Sequence, residues 1–183
     1  MKQAFDPDRF DVAGFAEAGA RVSGQDPLDR YRRLAGEANA ESAGDSLVEW
    51  QAEGLQRVSA GGAIAPWLHV EAQTGLPMVC QRCLGVFEVR LVVDRWFRFA
   101  ADEATAATED EESEEDVLAL EREIDLRALI EDELLMEIPS APRHEECPQP
   151  LPLSVADEDF ESEQQARPNP FAVLGGLVIP KGK

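Results

Sequence analysis

What this chain is short of narrows its reading first. It has only three cysteines and two histidines, and an odd, small cysteine count does not build the disulfide framework of a small secreted domain. Bases are scarce: 17 Lys and Arg stand against 37 Asp and Glu, a net charge of −20. Nucleic-acid binding starts with Lys and Arg neutralising phosphate, so this balance disfavours nucleic acid as the main direct partner. Long apolar runs are missing as well. The uncharged stretches 58–70 and 168–180 are broken by Gly and Pro and fall short of the roughly 20 residues that cross a bilayer. Residues 1–10 carry Lys2, Asp6, Asp8 and Arg9 and lack the apolar core of a secretory signal. A cytoplasmic protein with no membrane association is therefore expected. Nor is there a Gly-rich phosphate loop, a G-x-S-x-G elbow or an H-E-x-x-H pair. Carboxylates are so abundant that pairs arise by chance, and no catalytic residue is nominated.

What is present is concentrated. All three cysteines and one histidine fall into Cys80-Gln-Arg-Cys83 and His144-Glu-Glu-Cys147. Thiolate and imidazole are the donors zinc prefers, and C-x₂-C with H-x₂-C can close a tetrahedral site across a fold. Charge is concentrated too. Residues 1–100 hold 14 acids and 11 bases, whereas 101–183 hold 23 acids and 6 bases. The near-neutral half is thus followed by a strongly anionic one, and a basic protein is its better electrostatic match. Net charge that merely aids solubility is the competing reading.

The hydrophobic pattern changes period along the chain. Phe10–Gly19 and Pro27–Ala38 read as helices, the second with Asp26 as N-cap and Pro27 at its first position. Period-two alternation follows in 47–53, where Val48, Trp50 and Ala52 share a face, and in 67–74, where Leu68, Val70 and Ala72 do. Residues 60–63 read as the turn between them. After the CxxC comes the clearest strand. Phe87, Val89, Leu91, Val93, Phe97 and Phe99 lie on one face, with Glu88, Arg90, Asp94, Trp96 and Arg98 mostly on the other. The order strand, knuckle, strand counts against a thioredoxin-type motif, which needs its CxxC at a helix N-terminus. Seven acids in the eight positions Glu109–Asp116 predict a flexible acidic insertion over 101–123. Asp125 then caps an amphipathic helix, Leu126–Glu137, stopped by Pro139. A second acidic linker, 154–167, leads to a short helix over 168–177, with Asn169 as N-cap and Pro170 first.

Three of these stretches carry a family resemblance. Val79–Leu84 with its following strand, Glu123–Ile138 with Pro139, and Pro168–Leu174 resemble, in this order, the YceD family of large ribosomal RNA subunit accumulation proteins. The resemblance spans roughly residues 47–177. It implies a role in synthesis, processing or stability of 23S rRNA and in large-subunit assembly, and no catalytic residues come with it. Some members have further cysteines after the helix; here only Cys147 is present, with His144 as the fourth donor.

The expectation is therefore an α+β fold. A curved antiparallel sheet or partly open barrel carries one main packed helix, short N- and C-terminal helices and an acidic disordered insertion. Residues 1–177 form a single domain, and 178–183 a tail. The metal candidates are Cys80, Cys83, His144 and Cys147, for one structural zinc; the bland alternative is that the cysteines are small buried hydrophobes. The partner-binding candidates are Arg90, Trp96 and Arg98 on one strand face, and Asn169, Pro170, Phe171 and Leu174 in the terminal helix. The bland readings are arginines paired with the chain's own acids and a helix packed on its own sheet. Function is expected to be non-enzymatic: ribosome biogenesis through a basic ribosomal or assembly protein of the large subunit, with rRNA contacted indirectly. The alternatives are a zinc- or thiol-dependent RNA-processing enzyme and a direct rRNA-binding module using the Arg/Trp face.

Overall fold

The computed structural model describes residues 5–148, apart from 45, 59–61, 63, 112 and 114, together with Phe171. The chain divides into two units, Met1–Glu146 and Cys147–Lys183, and every element named below lies in the first. Only Cys147, Pro148 and Phe171 are described in the second.

Five strands form one open sheet in sequence order: β1 (Arg21–Pro27), β2 (Leu47–Val58), β3 (Ile64–Val79), β4 (Val86–Ala100) and β5 (Asp116–Ala119). The first three pairings are antiparallel. The fourth, β4 with β5, is parallel, from Phe97↔Asp116 to Ala100↔Ala119. The sheet does not close, so the α+β expectation holds in its open form. Alternation fixes the faces. Val48, Trp50, Ala52, Leu68, Val70, Ala72, Leu91, Val93, Phe97 and Phe99 are all buried. Their neighbours one position along lie on the opposite, outer face.

The helices α1 (Val12–Glu17) and α4 (Leu126–Met136) cover the buried face. In α4, Leu126, Ile130 and Leu134 are fully buried, the i, i+4, i+8 stripe of a helix lying on a core. Asp125 accepts a hydrogen bond from the Ala128 amide at 2.9 Å, the predicted cap. Phe15 of α1 packs on Phe10 with ring centroids 4.6 Å apart. This close seat needs Gly54: a Cβ there would strike the Phe15 ring and the Ala16 backbone. Each large apolar side chain buried this way contributes about 1.5–3 kcal/mol. The helix α2 (Arg32–Glu37) is locked to α4 by Glu131, whose carboxylate accepts from the Arg33 and Leu34 amides at 2.7 and 3.2 Å.

Two stretches differ from expectation. Asp26 does not cap a helix starting at Pro27. Instead β1 continues through Pro27, a single 3-10 turn occupies Leu28–Arg30, and α2 begins at Arg32. Pairing with β2, Asp26↔Val48 and Pro27↔Leu47, prevails over local capping, and proline is tolerated because β1 is an edge strand. Within the acidic stretch 101–123, read as flexible, the structure places the helix α3 (Glu103–Asp110) and β5. Asp102 caps α3 through the Thr105 amide at 2.9 Å, and Ala106 and Val117 bury against Ala100. Among residues 60–63 only Gly62 is described. The predicted terminal helix, except Phe171, lies outside the described residues, as do the linker 154–167 and the tail 178–183.

Candidate metal centre and partner-binding residues

The knuckle sits where β3 hands over to β4. Its turn is closed by two backbone hydrogen bonds, Cys80 N to Gly85 O and Leu84 N to Cys80 O, each 2.9 Å. Leu84 takes φ 59°, the left-handed conformation that lets the chain reverse so tightly. The Gln81 amide donates to the Pro142 carbonyl at 2.8 Å, bringing the loop after α4 alongside. His144 thereby lies next to the CxxC, with Cys83 Sγ 3.3 Å from its Nδ1 and its ring 4.6 Å from that of Phe87.

Cys80 is fully buried, and its Sγ accepts from the amides of Arg82 and His144, both at 3.4 Å. Burial pushes its thiol up, but hydrogen bonds from the amides of Cys83, His144 and Arg82 outweigh this and hold it at about 5. A thiolate is the form that binds metal. Cys80, Cys83, His144 and Cys147 each offer one donor atom, and these atoms lie within 4.8 Å of one another. A tetrahedral zinc with sulfur at about 2.3 Å and nitrogen at about 2.0 Å needs donors about 3.5–3.8 Å apart. The donor set suits one such ion, the 4.8 Å limit leaves a contraction of up to about 1 Å to reach that spacing, and the four predicted residues are brought together.

The strand-face candidates fare differently. Arg90, Trp96 and Arg98 do alternate onto the face opposite Phe97. Arg90 is exposed and donates to Gln73 Oε1 at 3.0 Å. Trp96 is half-buried, stacked on His69 at 4.3 Å and 8°. The Arg57 guanidinium sits over it, 4.0 Å from the ring centroid and 5.0 Å from that of Trp67. Arg98 is buried, its guanidinium bonded to Glu109, to Ser113 Oγ at 2.9 Å and to Glu115 at 3.3 Å. It is turned onto its own acidic segment. Arg95, on the opposite side of β4, faces Glu133 of α4 and Glu137 at its C-cap, each at 3.6 Å. In the terminal segment, Phe171 is exposed, while Asn169, Pro170 and Leu174 lie outside the described residues.

The sequence reading missed Arg57 and the carboxylates Glu49, Glu71 and Asp94 as a group. Glu71 faces Asp94 directly across β3 and β4, and Glu49 faces Gln73 across β2 and β3. Alternation marks Glu49, Glu71 and Asp94 as outward-facing, but only strand register shows them to be neighbours. No helix among the described residues is long and apolar enough to cross a membrane.

The family model for YceD, the large ribosomal RNA subunit accumulation protein, matches residues 68–178. The match runs from the middle of β3 through the knuckle, α4 and the H-x₂-C segment and covers more than half of the chain, which therefore belongs to the YceD family. No solved structure matches the chain.

Proposed function

We propose that this YceD-family chain is a non-enzymatic ribosome-biogenesis factor. It supports accumulation of 23S rRNA by binding a basic ribosomal or assembly protein of the large subunit. The family's description supplies the biogenesis role. The observation that carries the mechanism is the use of the chain's own cations. Arg9, Arg21, Arg33, Arg95, Arg98 and Arg127 all pair with carboxylates of the same chain. That pairing occupies six of the thirteen described arginines and reduces the cationic surface that could hold phosphate, while the net charge of −20 leaves a large anionic surplus. Such a surface speeds encounter with a cationic protein and keeps that protein off wrong RNA until it docks.

Cys80, Cys83, His144 and Cys147 hold one structural zinc in this reading. Four protein donors fill a tetrahedral shell and leave no open position for chemistry, which favours a non-enzymatic role over a metal-dependent nuclease. Zinc would tie the knuckle to the loop after α4, closing a span of more than sixty residues. Protein purified without chelator is expected to contain about one equivalent of zinc. The Cys83→Ser variant should lose it and melt lower. Less than about a tenth of an equivalent in a normally folded protein would exclude the ion.

The partner claim is tested by affinity purification from growing cells, followed by identification of co-purifying proteins and rRNA precursors. Arginine- and lysine-rich large-subunit proteins are the expected prey, with capture that weakens as salt rises. Tight capture of naked rRNA, with basic subunit proteins ignored, would refute the mechanism.

A further inference from the structure

Among the described residues, α1 and α4 cover one face of the sheet. The helix α3 lies on the outer side at the end of β4 beside Ala100 and Arg98, and the outer face around Glu49, Glu71 and Asp94 is open. A groove of about 650 Å³ runs across β1–β4, and among the described residues its charged lining is Glu49, Glu71 and Asp94. Two smaller concavities continue it. One runs toward Glu53 and His69, the other toward Glu88 and Arg90, and each shares lining residues with the main groove.

Among the described residues, no arginine pairs with the three central carboxylates. Glu49 accepts from Gln25 and Gln73, at 2.9 and 2.8 Å, and Glu71 accepts from Gln51. Asp94 Oδ1 lies 2.7 Å from His69 Nε2. Amide donors orient a carboxylate without cancelling its charge. Glu71 and Asp94 are moreover a directly opposed cross-strand pair, and like charges in that relation destabilise a sheet. Elsewhere Arg9, Arg21, Arg33, Arg95, Arg98 and Arg127 each reach a carboxylate of the chain; none of these six reaches Glu49, Glu71 or Asp94. Two opposed carboxylates facing an open groove, with only the His69 ring beside Asp94 to offer them a charge, are the arrangement a foreign cation would relieve.

Spacing argues for the form of that cation. Glu49 is the diagonal cross-strand neighbour of Glu71, a separation of roughly 7–8 Å. Alternate side chains of an extended peptide are about 7 Å apart. Exposed Val92, also lining the groove, offers an apolar contact beside them.

We propose that this outer sheet face binds an extended, lysine- and arginine-rich segment of a protein partner. Glu71 and Asp94 together receive one cationic side chain, and Glu49 receives the next but one. The inference rests on the proposed function and locates its binding site on the sheet rather than on the acidic segments.

The test uses the full-length chain and a labelled synthetic peptide with lysine at alternate positions, read by fluorescence anisotropy. The Glu71→Gln/Asp94→Asn variant is expected to bind about tenfold more weakly. Glu17→Gln/Glu37→Gln, the same charge change on the helical side, should stay within about twofold. The sheet variant should melt no lower than the parent, since an unfavourable pair has been removed. Equal weakening in both variants, or in neither, would overturn the sheet site while leaving the partner reading intact. A lower melting temperature for the sheet variant would mean that the chain's own cations already occupy the face, and would also overturn it. Displacement of the peptide by stoichiometric manganese(II) would reassign His69, Glu71 and Asp94 to a metal. If the parent binds neither the peptide nor any basic subunit protein, the proposed function falls with the site.

Discussion

Asp26 joins four parts of the fold through one carboxylate. From β1 it accepts Trp50 Nε1 of β2 at 2.8 Å, Arg127 Nε of α4 at 3.0 Å and the Tyr31 hydroxyl ahead of α2 at 3.3 Å. Burial pushes its pKa up, but the hydrogen bonds from Arg127 and Trp50 prevail and leave it below the usual 3.8. Asp26→Asn keeps the shape and removes the charge, leaving a mostly buried Arg127 with Asp8 as its remaining carboxylate partner. A loss of about 2 kcal/mol follows, or roughly 6 °C in Tm for a chain of this size. Because the native pKa is depressed, the advantage of wild type is full above about pH 4 and disappears as pH falls through the lower native value. Thermal melts of both proteins from neutral to acid pH check this. Glu133 predicts the opposite sign. Burial and then the Asp116 carboxylate raise it above 4.5, more than Arg95 lowers it. An acid raised in this way destabilises the fold when ionised. Glu133→Gln should therefore melt above wild type at neutral pH, and the two should converge as pH falls toward 4.5. A variant that melts lower at neutral pH would show that the Arg95 contact dominates.

At the level of elements, local chemistry is decisive where a segment's partners are near in sequence. The α4 cap is such a case: Asp125→Ala should cost about 1 kcal/mol, about 2–4 °C in Tm, with α4 otherwise retained. The long strands were legible for the same reason, since period-two alternation in 47–53, 67–74 and 87–99 needs only neighbouring residues. The knuckle was legible from spacing alone. Asp26 was not, because its three partners come from as far away as position 127, and a short-range view sees only an aspartate before a proline. Likewise, Asp116–Ala119 carries one strongly apolar pair amid acids. It becomes a strand through pairing with Phe97–Ala100, a contact no local pattern announces. Arg98 shows the same limit at the candidate site. Alternation places it beside Arg90 and Trp96, but Glu109 and Glu115 draw it inward.

The whole molecule carries its charge unevenly, and this has a consequence for stability as well as for partners. Exposed pairs such as Arg9–Glu123, with side chains 71% and 39% exposed, contribute little and are screened by salt. Self-repulsion arising from a net charge of −20 acts over longer distances. Raising ionic strength from about 0.01 M to about 0.1 M shortens the Debye length from about 30 Å to about 10 Å. That change removes most of the long-range repulsion while leaving the buried Asp26–Arg127 contact nearly intact. Stability should therefore rise with added sodium chloride over this range, opposite to the expected weakening of a basic partner's binding. Calorimetric melts across the same salt series separate the two effects. If Tm falls as salt is added, surface ion pairs outweigh the long-range repulsion, and the surplus acids are too dispersed to act as one field on a cationic protein.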